Sequence, residues 1–310
     1  MSTYYFIVNP GSKTGKGSRL WAGIEDKLKS SKIDYNAFFT KESGDATKLA
    51  AFICNKHPEM KRIVVVGGDG TANEAINGLS DYDSFILGYV PTGSGNDLAR
   101  GLGIADDTLT ACENVIHPHA FKQIDHGMVK SFDGSINRKF GVSSGIGYDA
   151  DICYSAEHSK LKKALNKIKL GKLVYYLLGF KHIFSNKPAK AVITIDGKHK
   201  HYYKKLIFAA NMNTVYEGGG MPMAPAADPT DGKITVTIVH DVSKFRHLLL
   251  MFPVIKGKHI NHKGVEQITA RKIEVETDRP LMIHTDGEYA GRSNRVTFSC
   301  IPEKVRMIIK

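Results

Sequence analysis

Along the first part of the chain, short β-branched runs alternate with amphipathic stretches, the pattern of βα units on a parallel sheet. Thr3 to Val8, Asn36 to Thr40, Arg62 to Val66 and Phe85 to Val90 read as strands. Between them, Leu20, Ile24 and Leu28 fall on one helical face, and Leu49, Phe52 and Ile53 approximate a second. From about Phe121 the texture changes to strands without regular intervening helices. These are Phe140 to Ser144, Ala191 to Ile195, Leu206 to Ala210, Ile234 to Val239, Ile273 to Thr277, Leu281 to Thr285 and Arg295 to Ser299. The expectation is a second, mainly antiparallel β domain, interrupted by one helical insertion around Ser155 to Phe184. The predicted boundaries are 1–121 for an α/β domain, 122–300 for a β-rich domain, and 301–310 for a terminal stretch. The strand of that stretch, Arg306 to Ile309, is free to return to the first domain.

A chain of 310 residues is long enough for two domains. Its apolar share of 42% and charged share of 24% are ordinary for soluble proteins, which excludes disordered and fibrous classes. No segment approaches the ~18 to 20 apolar residues needed to cross a bilayer. The first residues lack the charged lead and cleavage site of a signal peptide, so a cytoplasmic protein is expected. Cys54, Cys112, Cys153 and Cys300 show no Cys-x-x-Cys spacing, which argues against a zinc ribbon or a disulfide framework. The net charge of +12 calls for an anionic partner: nucleic acid, a membrane surface or a small substrate. No helix-turn-helix, zinc-finger or aromatic RNA-binding pattern supports the first of these.

Ligands of open parallel sheets bind where strands end and loops turn into helices, and the glycines lie there. The first loop, Asn9-Pro10-Gly11-Ser12-Lys13, could offer backbone N–H groups to a phosphate, although it is not a P-loop. The second is more specific: Ile63 to Val66 runs into Gly67-Gly68-Asp69-Gly70-Thr71-Ala72-Asn73-Glu74. Two glycines after a strand let the backbone approach a pyrophosphate, and the helix start adds a positive dipole end. Asp69 could meet a magnesium ion or a reacting hydroxyl, or cap a helix. The third loop, Pro91-Thr92-Gly93-Ser94-Gly95-Asn96-Asp97, repeats the arrangement before a helix through Leu98 to Arg100.

The second and third loops resemble the catalytic-domain motifs of diacylglycerol kinases, sphingosine kinases and their bacterial lipid-kinase relatives. Thr40 with Gly44-Asp45-Ala46 resembles that family's short nucleotide-contact segment, and Asn9-Pro10 its first loop. The resemblance implies a three-layer, Rossmann-like α/β nucleotide-binding domain joined to a β-sandwich-like domain, as in NAD kinases, with ATP in the cleft between them. It implies ATP contacts from Asn9, Pro10, Gly11, Ser12, Lys13, Thr40, Gly67, Gly68, Asp69, Gly70, Thr71, Ala72, Asn73 and Thr92. In the second domain, Gly287 permits a sharp turn that would present Asp286 and Glu288 at the domain edge. The family's similar Asp-Gly-Glu implies Glu288 as general base, with Asp286 orienting it and Asp69 completing the catalytic set. Asp228-Pro229-Thr230-Asp231-Gly232-Lys233 is similar to a segment that holds a structural magnesium ion. Asp228, Asp231 and Lys233 would supply carboxylate and carbonyl oxygens.

Other signals carry less. Gly145-Ile146-Gly147-Tyr148-Asp149-Ala150 fits the dinucleotide fingerprint by letter but lies in the β-rich half, so a glycine-rich strand end is the preferred reading. His117 with His119, and His259 with His262, read as solvated surface histidines. In the run Lys160 to Leu170, Leu161, Leu165 and Ile168 share one helical face while lysines crowd the others. Such a helix binds anionic membranes or packs on its own domain with a solvated basic face. The expected activity is transfer of the γ-phosphoryl group of ATP to a lipid hydroxyl, diacylglycerol first, with magnesium, at an anionic membrane surface. A homodimer is left open. The alternatives are an NAD-kinase-like enzyme and a non-catalytic membrane-binding regulator.

Overall fold

The computed structural model describes residues 3–56, 61–159 and 171–310, and the side chains of residues 13, 14 and 171–176 lie outside that description. Its contacts divide the chain into two compact units, Met1–Asp125 with Pro302–Lys310, and His126–Ile301.

Among the described residues, six strands form the sheet of the first unit. Their order is Tyr35–Phe39, Tyr4–Val8, Lys61–Gly67, Phe85–Pro91, Val305–Ile308 and Phe121–Ile124. All neighbours are parallel except the last pair, which is antiparallel. Tyr4–Val8 and Phe85–Pro91 are buried along their whole length. That explains why they read as continuous apolar runs, since both faces of a parallel sheet are covered. The chain leaves Tyr4–Val8 toward Tyr35–Phe39 on one side and then crosses to Lys61–Gly67 on the other. The order therefore reverses at Tyr4–Val8, and the loops after Val8 and Gly67 open at the switch point where such sheets take their ligands.

The helix Gly17–Ser30 buries Trp21, Ile24 and Leu28. The helix Asp45–Lys56 corrects the sequence reading, because it buries Ala46, Ala50 and Ile53 while Phe52 is exposed. The neighbouring helix Asp69–Gly78 crosses it too closely for larger residues. A Cβ on Gly78 would lie 2.1 Å from the Thr47 carbonyl oxygen.

The second unit contains a nine-stranded antiparallel network among the described residues. Its central hairpin joins Lys272–Thr285 to Glu288–Cys300, with Thr285 opposite Glu288. The segments expected as Ile273–Thr277 and Leu281–Thr285 are one strand, irregular between Glu276 and Leu281, where Pro280 falls. The expected strand Phe140–Ser144 is instead broken between Asn137–Phe140 and Ser143–Gly147. The intervening N–H groups of Gly141 and Val142 turn to a carboxylate rather than to a neighbouring strand. Ile193, Val275, Ile283, Val296 and Phe298 lie in the core of this unit. The helical insertion appears as Tyr148–Glu157 and Gly171–Ser185. A further helix, Lys244–Val254, was not legible in the sequence. The lysine-rich run 160–170 lies outside the described residues.

Candidate active site

The three glycine-bearing loops are fastened to one another by short polar contacts. Asn9 donates its backbone N–H to the Val66 carbonyl (2.9 Å) and its side-chain N–H to Thr71 Oγ1 (2.9 Å), while its Oδ1 accepts from Gly11 N–H (3.0 Å). Thr92, almost fully buried, donates its backbone N–H to the Gly67 carbonyl (2.8 Å) and its hydroxyl to Ser12 Oγ (2.8 Å). Thr40 donates its N–H to the Val8 carbonyl (2.9 Å). Glu74 draws the Gly44-Asp45-Ala46 segment to the second loop by accepting from Ser43 Oγ (3.1 Å) and Ala46 N–H (3.2 Å). Asn9, Ser12, Thr40, Gly67, Thr71 and Thr92 are thus gathered at the ends of adjacent parallel strands.

Two glycines are required here by space. A Cβ on Gly67 would sit 2.5 Å from Thr71 Cβ, and one on Gly93 would sit 2.8 Å from Gly68 Cα. The second and third loops therefore pass backbone against backbone. The helix Asp69–Gly78 starts directly after Gly68, carrying Gly70, Ala72 and the buried Asn73. Its N-terminus is the kind of dipole end that favours an anion. Asp69 itself is engaged: its two oxygens accept N–H from Asp97 (3.1 Å) and Leu98 (3.2 Å), capping the helix Asp97–Leu102. Lys13's side chain lies outside the described residues.

In the second unit, Asp286 (φ 46°) and Gly287 (φ 81°) form a two-residue hairpin turn with both residues left-handed. That is the type I′ geometry that an Asp-Gly pair favours. The two acids of the motif do not face the same way, contrary to the expectation that both reach the domain edge. Asp286 turns inward and accepts three backbone N–H groups, from Gly141 (2.9 Å), Val142 (2.9 Å) and Ser143 (2.8 Å). Glu288 stays partly exposed, with Oε2 3.2 Å from an Arg138 guanidinium nitrogen. Arg138 lies 150 positions away, and nothing in the sequence pairs it with Glu288.

The sequence reading also missed a buried charge cluster at the root of this turn. His284, fully buried, has Nε2 3.2 Å from Asp149 Oδ2 and 3.4 Å from Glu217 Oε1, which in turn accepts from Ser143 Oγ (2.8 Å). Burial alone would lower the His284 pKa, but the carboxylates of Glu217 and Asp149, with Asp286 beyond them, outweigh it and raise the value to about 9. The Gly287 N–H lies 3.4 Å from His284 Nδ1, too long a contact to hold the imidazole neutral against two carboxylates. One signal could have found the cluster: Gly145. A Cβ there would lie 1.8 Å from Asp149 Oδ2 and 2.5 Å from His284 Nε2. Of the glycines that mimic a dinucleotide fingerprint, Gly145 makes room for an ion pair and Gly147 for the backbone of Ile207 on the neighbouring strand.

The proposed magnesium segment is a pair of side-chain turns. Exposed Asp228 accepts through Oδ1 from the N–H (2.9 Å) and hydroxyl (2.6 Å) of Thr230, and Asp231 accepts from Lys233 N–H (2.9 Å). Among the described residues, no three His, Cys, Asp or Glu side chains converge on a metal position. The donors here are all oxygen, which suits a hard cation, and main-chain carbonyls would have to complete any shell. Of the paired histidines, His259 is buried rather than solvated, with Nε2 3.0 Å from the Met223 carbonyl. Among the described residues, no helix is long and apolar enough to cross a membrane.

Residues 3–129 match the diacylglycerol kinase catalytic domain, and residues 142–309 match the YegS C-terminal NAD kinase beta sandwich-like domain. The chain belongs to the diacylglycerol kinase family. It is 30% identical over 301 residues to a Bacillus subtilis protein named "Putative lipid kinase YtlR", covering 94% of each chain. It is also 30% identical to a Bacillus subtilis diacylglycerol kinase, covering 92% of this chain and 89% of that one. A crystal structure described as "a putative diacylglycerol kinase" from Bacillus anthracis superposes with a TM-score of 0.78 at 25% identity, covering 100% of this chain and 97% of that one. An Archaeoglobus fulgidus NAD kinase in complex with ATP shares the fold, with a TM-score of 0.51 at 12% identity over 98% of this chain and 93% of that one. The family implies use of ATP as phosphoryl donor.

Proposed function

We propose that the protein phosphorylates a lipid hydroxyl, with diacylglycerol as the first acceptor and phosphatidic acid as the product, at the surface of an anionic membrane. The observation that carries this reading is the backbone-to-backbone approach of the Gly67-Gly68 and Gly93 loops beside a helix start, an arrangement suited to a polyphosphate. The first unit is assigned to ATP. Asn9, Pro10, Gly11 and Ser12, with Thr40, Thr71 and Thr92, shape the nucleotide site, and Asp69 holds the second and third loops together through its cap on Asp97 and Leu98. The second unit is assigned to the acceptor. Asp286, held by three N–H groups, fixes the turn, and Glu288 is the base that takes the acceptor proton.

In the step itself, the acceptor oxygen bonds to the γ-phosphorus, the bond to the β-γ bridging oxygen breaks, and ADP leaves while Glu288 receives the hydroxyl proton. Positioning and charge neutralisation account for most of the rate in such transfers. Magnesium, when bound, neutralises phosphate charge, and Asp228, Asp231 and the Lys233 carbonyl are assigned to a separate structural ion.

The test of this assignment is Glu288→Gln. Turnover should fall by ~10²-fold to 10⁴-fold, the range for loss of a general base, with ATP affinity unchanged by calorimetry. Near-normal turnover would remove Glu288 from the mechanism.

A further inference from the structure

Among the described residues, six of the thirteen large apolar side chains that are exposed lie on two adjoining helices. On the helix Lys244–Val254, Phe245, Leu249 and Phe252 recur at intervals of four and three residues and all face solvent, Phe245 at 70% and Phe252 at 68% exposure. The opposite face of the same helix is already satisfied: His247 and Leu250 are buried, and the His247 ring packs edge-on against Tyr148 with centroids 4.4 Å apart. The helix Gly171–Ser185 repeats the arrangement. Leu177, Phe180 and Phe184 are exposed, while Gly179 and Ile183 are buried. The two helices adjoin, since a Cβ on Gly179 would meet the Met251 methyl at 3.5 Å and Lys244 Nζ donates to the Phe184 carbonyl. Phe180 and Phe184 stack edge to face at 5.2 Å. A helix that is apolar on both faces has one face without a partner, and here two such faces lie side by side.

The charge around the patch selects what covers it. Neither helix contains an acidic residue, and Lys181, Lys244, Arg246, Lys256 and Lys258 lie exposed in or beside them. A second copy of the chain would bring two such basic rims together and be repelled. An anionic bilayer would attract the rim and accept the phenylalanines among its acyl chains.

We propose that the paired faces of Gly171–Ser185 and Lys244–Val254 are the surface by which the protein docks on an anionic lipid membrane, with Phe245 and Phe252 inserting and the basic side chains meeting headgroups. The proposal deepens the lipid-kinase reading by naming the surface that delivers the enzyme to its acceptor, and it is tested without ATP, so either reading can fail alone. Sedimentation with vesicles of phosphatidylcholine, with and without phosphatidylglycerol, would compare the wild-type chain with Phe245→Gln/Phe252→Gln. Both positions are mostly exposed, so the melting temperature should be unchanged. The wild type should bind the phosphatidylglycerol vesicles at least tenfold more tightly than the neutral ones. The double variant should lose at least tenfold of that binding while phosphorylating a short-chain, water-soluble diacylglycerol at the wild-type rate. A separate Phe252→Trp chain should show fluorescence quenching by brominated lipid. Unchanged vesicle binding in the double variant would overturn the proposal, as would the absence of any quenching. A wild-type dimer that the double variant converts to monomer, with vesicle binding intact, would also overturn it and assign the patch to self-association.

Discussion

The inward carboxylate of Asp286 should be worth more to stability than any other exposed-looking acid in the second unit. Its Oδ1 accepts from Val142 and Ser143 and its Oδ2 from Gly141, and all three donors belong to buried residues. Asp286→Asn keeps the shape, tolerates φ of 46° and retains Oδ1, but it places an NH₂ group against the Gly141 N–H. One charge-assisted bond is lost and two are weakened, at ~1.5 to 3 kcal/mol for the first, so the total is about 2–4 kcal/mol. Asp286→Ala removes both acceptor oxygens, and with them all three hydrogen bonds, and adds ~1 kcal/mol for a left-handed alanine, giving about 4–6 kcal/mol. Asp286→Gly lacks that conformational penalty and should fall about 1 kcal/mol short of the alanine variant. Urea unfolding with a shared m-value measures the series. For a unit of this size, the Asn variant should melt roughly 5–15 °C lower. An alanine variant within about 0.5 kcal/mol of wild type would refute the idea that the three N–H groups depend on this carboxylate.

Three further outcomes follow from the same geometry. Gly145→Ala should destabilise the second unit by ~1 to 3 kcal/mol, as overpacking does, because its Cβ would collide with Asp149 and His284; a melting curve matching wild type would contradict this. Asp69→Ala removes the cap on Asp97–Leu102, so it should lower stability by ~1 kcal/mol and weaken ATP binding at least tenfold by calorimetry; unchanged affinity would separate the cap from the nucleotide site. The His284 pKa rises from 6.5 to about 9 on folding, so its contribution is complete below pH 6.5 and fades as pH rises through 9. That contribution is on the order of 3 kcal/mol, so wild type should lose stability as pH rises from 6.5 to 10, whereas His284→Gln should start lower at pH 6.5 and lack that alkaline fall.

The parallel sheet was legible because Tyr4–Val8, Lys61–Gly67 and Phe85–Pro91 are nearly all buried and their turns carry glycine for steric reasons that local sequence preserves. The second helical face was misread at Phe52, since the packing partner beside Thr47 and Ala50 is Gly78, beyond any local window. The Asp-Gly pair announced its turn, but the direction of Asp286 depends on N–H groups some 145 positions earlier. For the same reason the break at Gly141 and Val142 had no signature of its own. The ion pairs of Glu288 with Arg138, and of His284 with Asp149 and Glu217, join segments far apart in the chain, so composition and spacing were silent about them. The helical insertion that holds Leu177–Phe184 was legible and the helix Lys244–Val254 was not, and in both only the fold distinguishes the buried side from the exposed one.

The central claim is transfer of phosphate from ATP to a lipid hydroxyl. It is tested most directly by incubating the protein with γ-labelled ATP and magnesium over separate acceptors: diacylglycerol, monoacylglycerol, a sphingoid base, phosphatidylglycerol, a polyprenol and NAD. Chromatographic separation of the products then shows where the label goes. The account predicts label in a lipid, foremost as phosphatidic acid, with Glu288→Gln giving background only. Label in NADP with none in any lipid, or ATP binding with no labelled product at all, would contradict it.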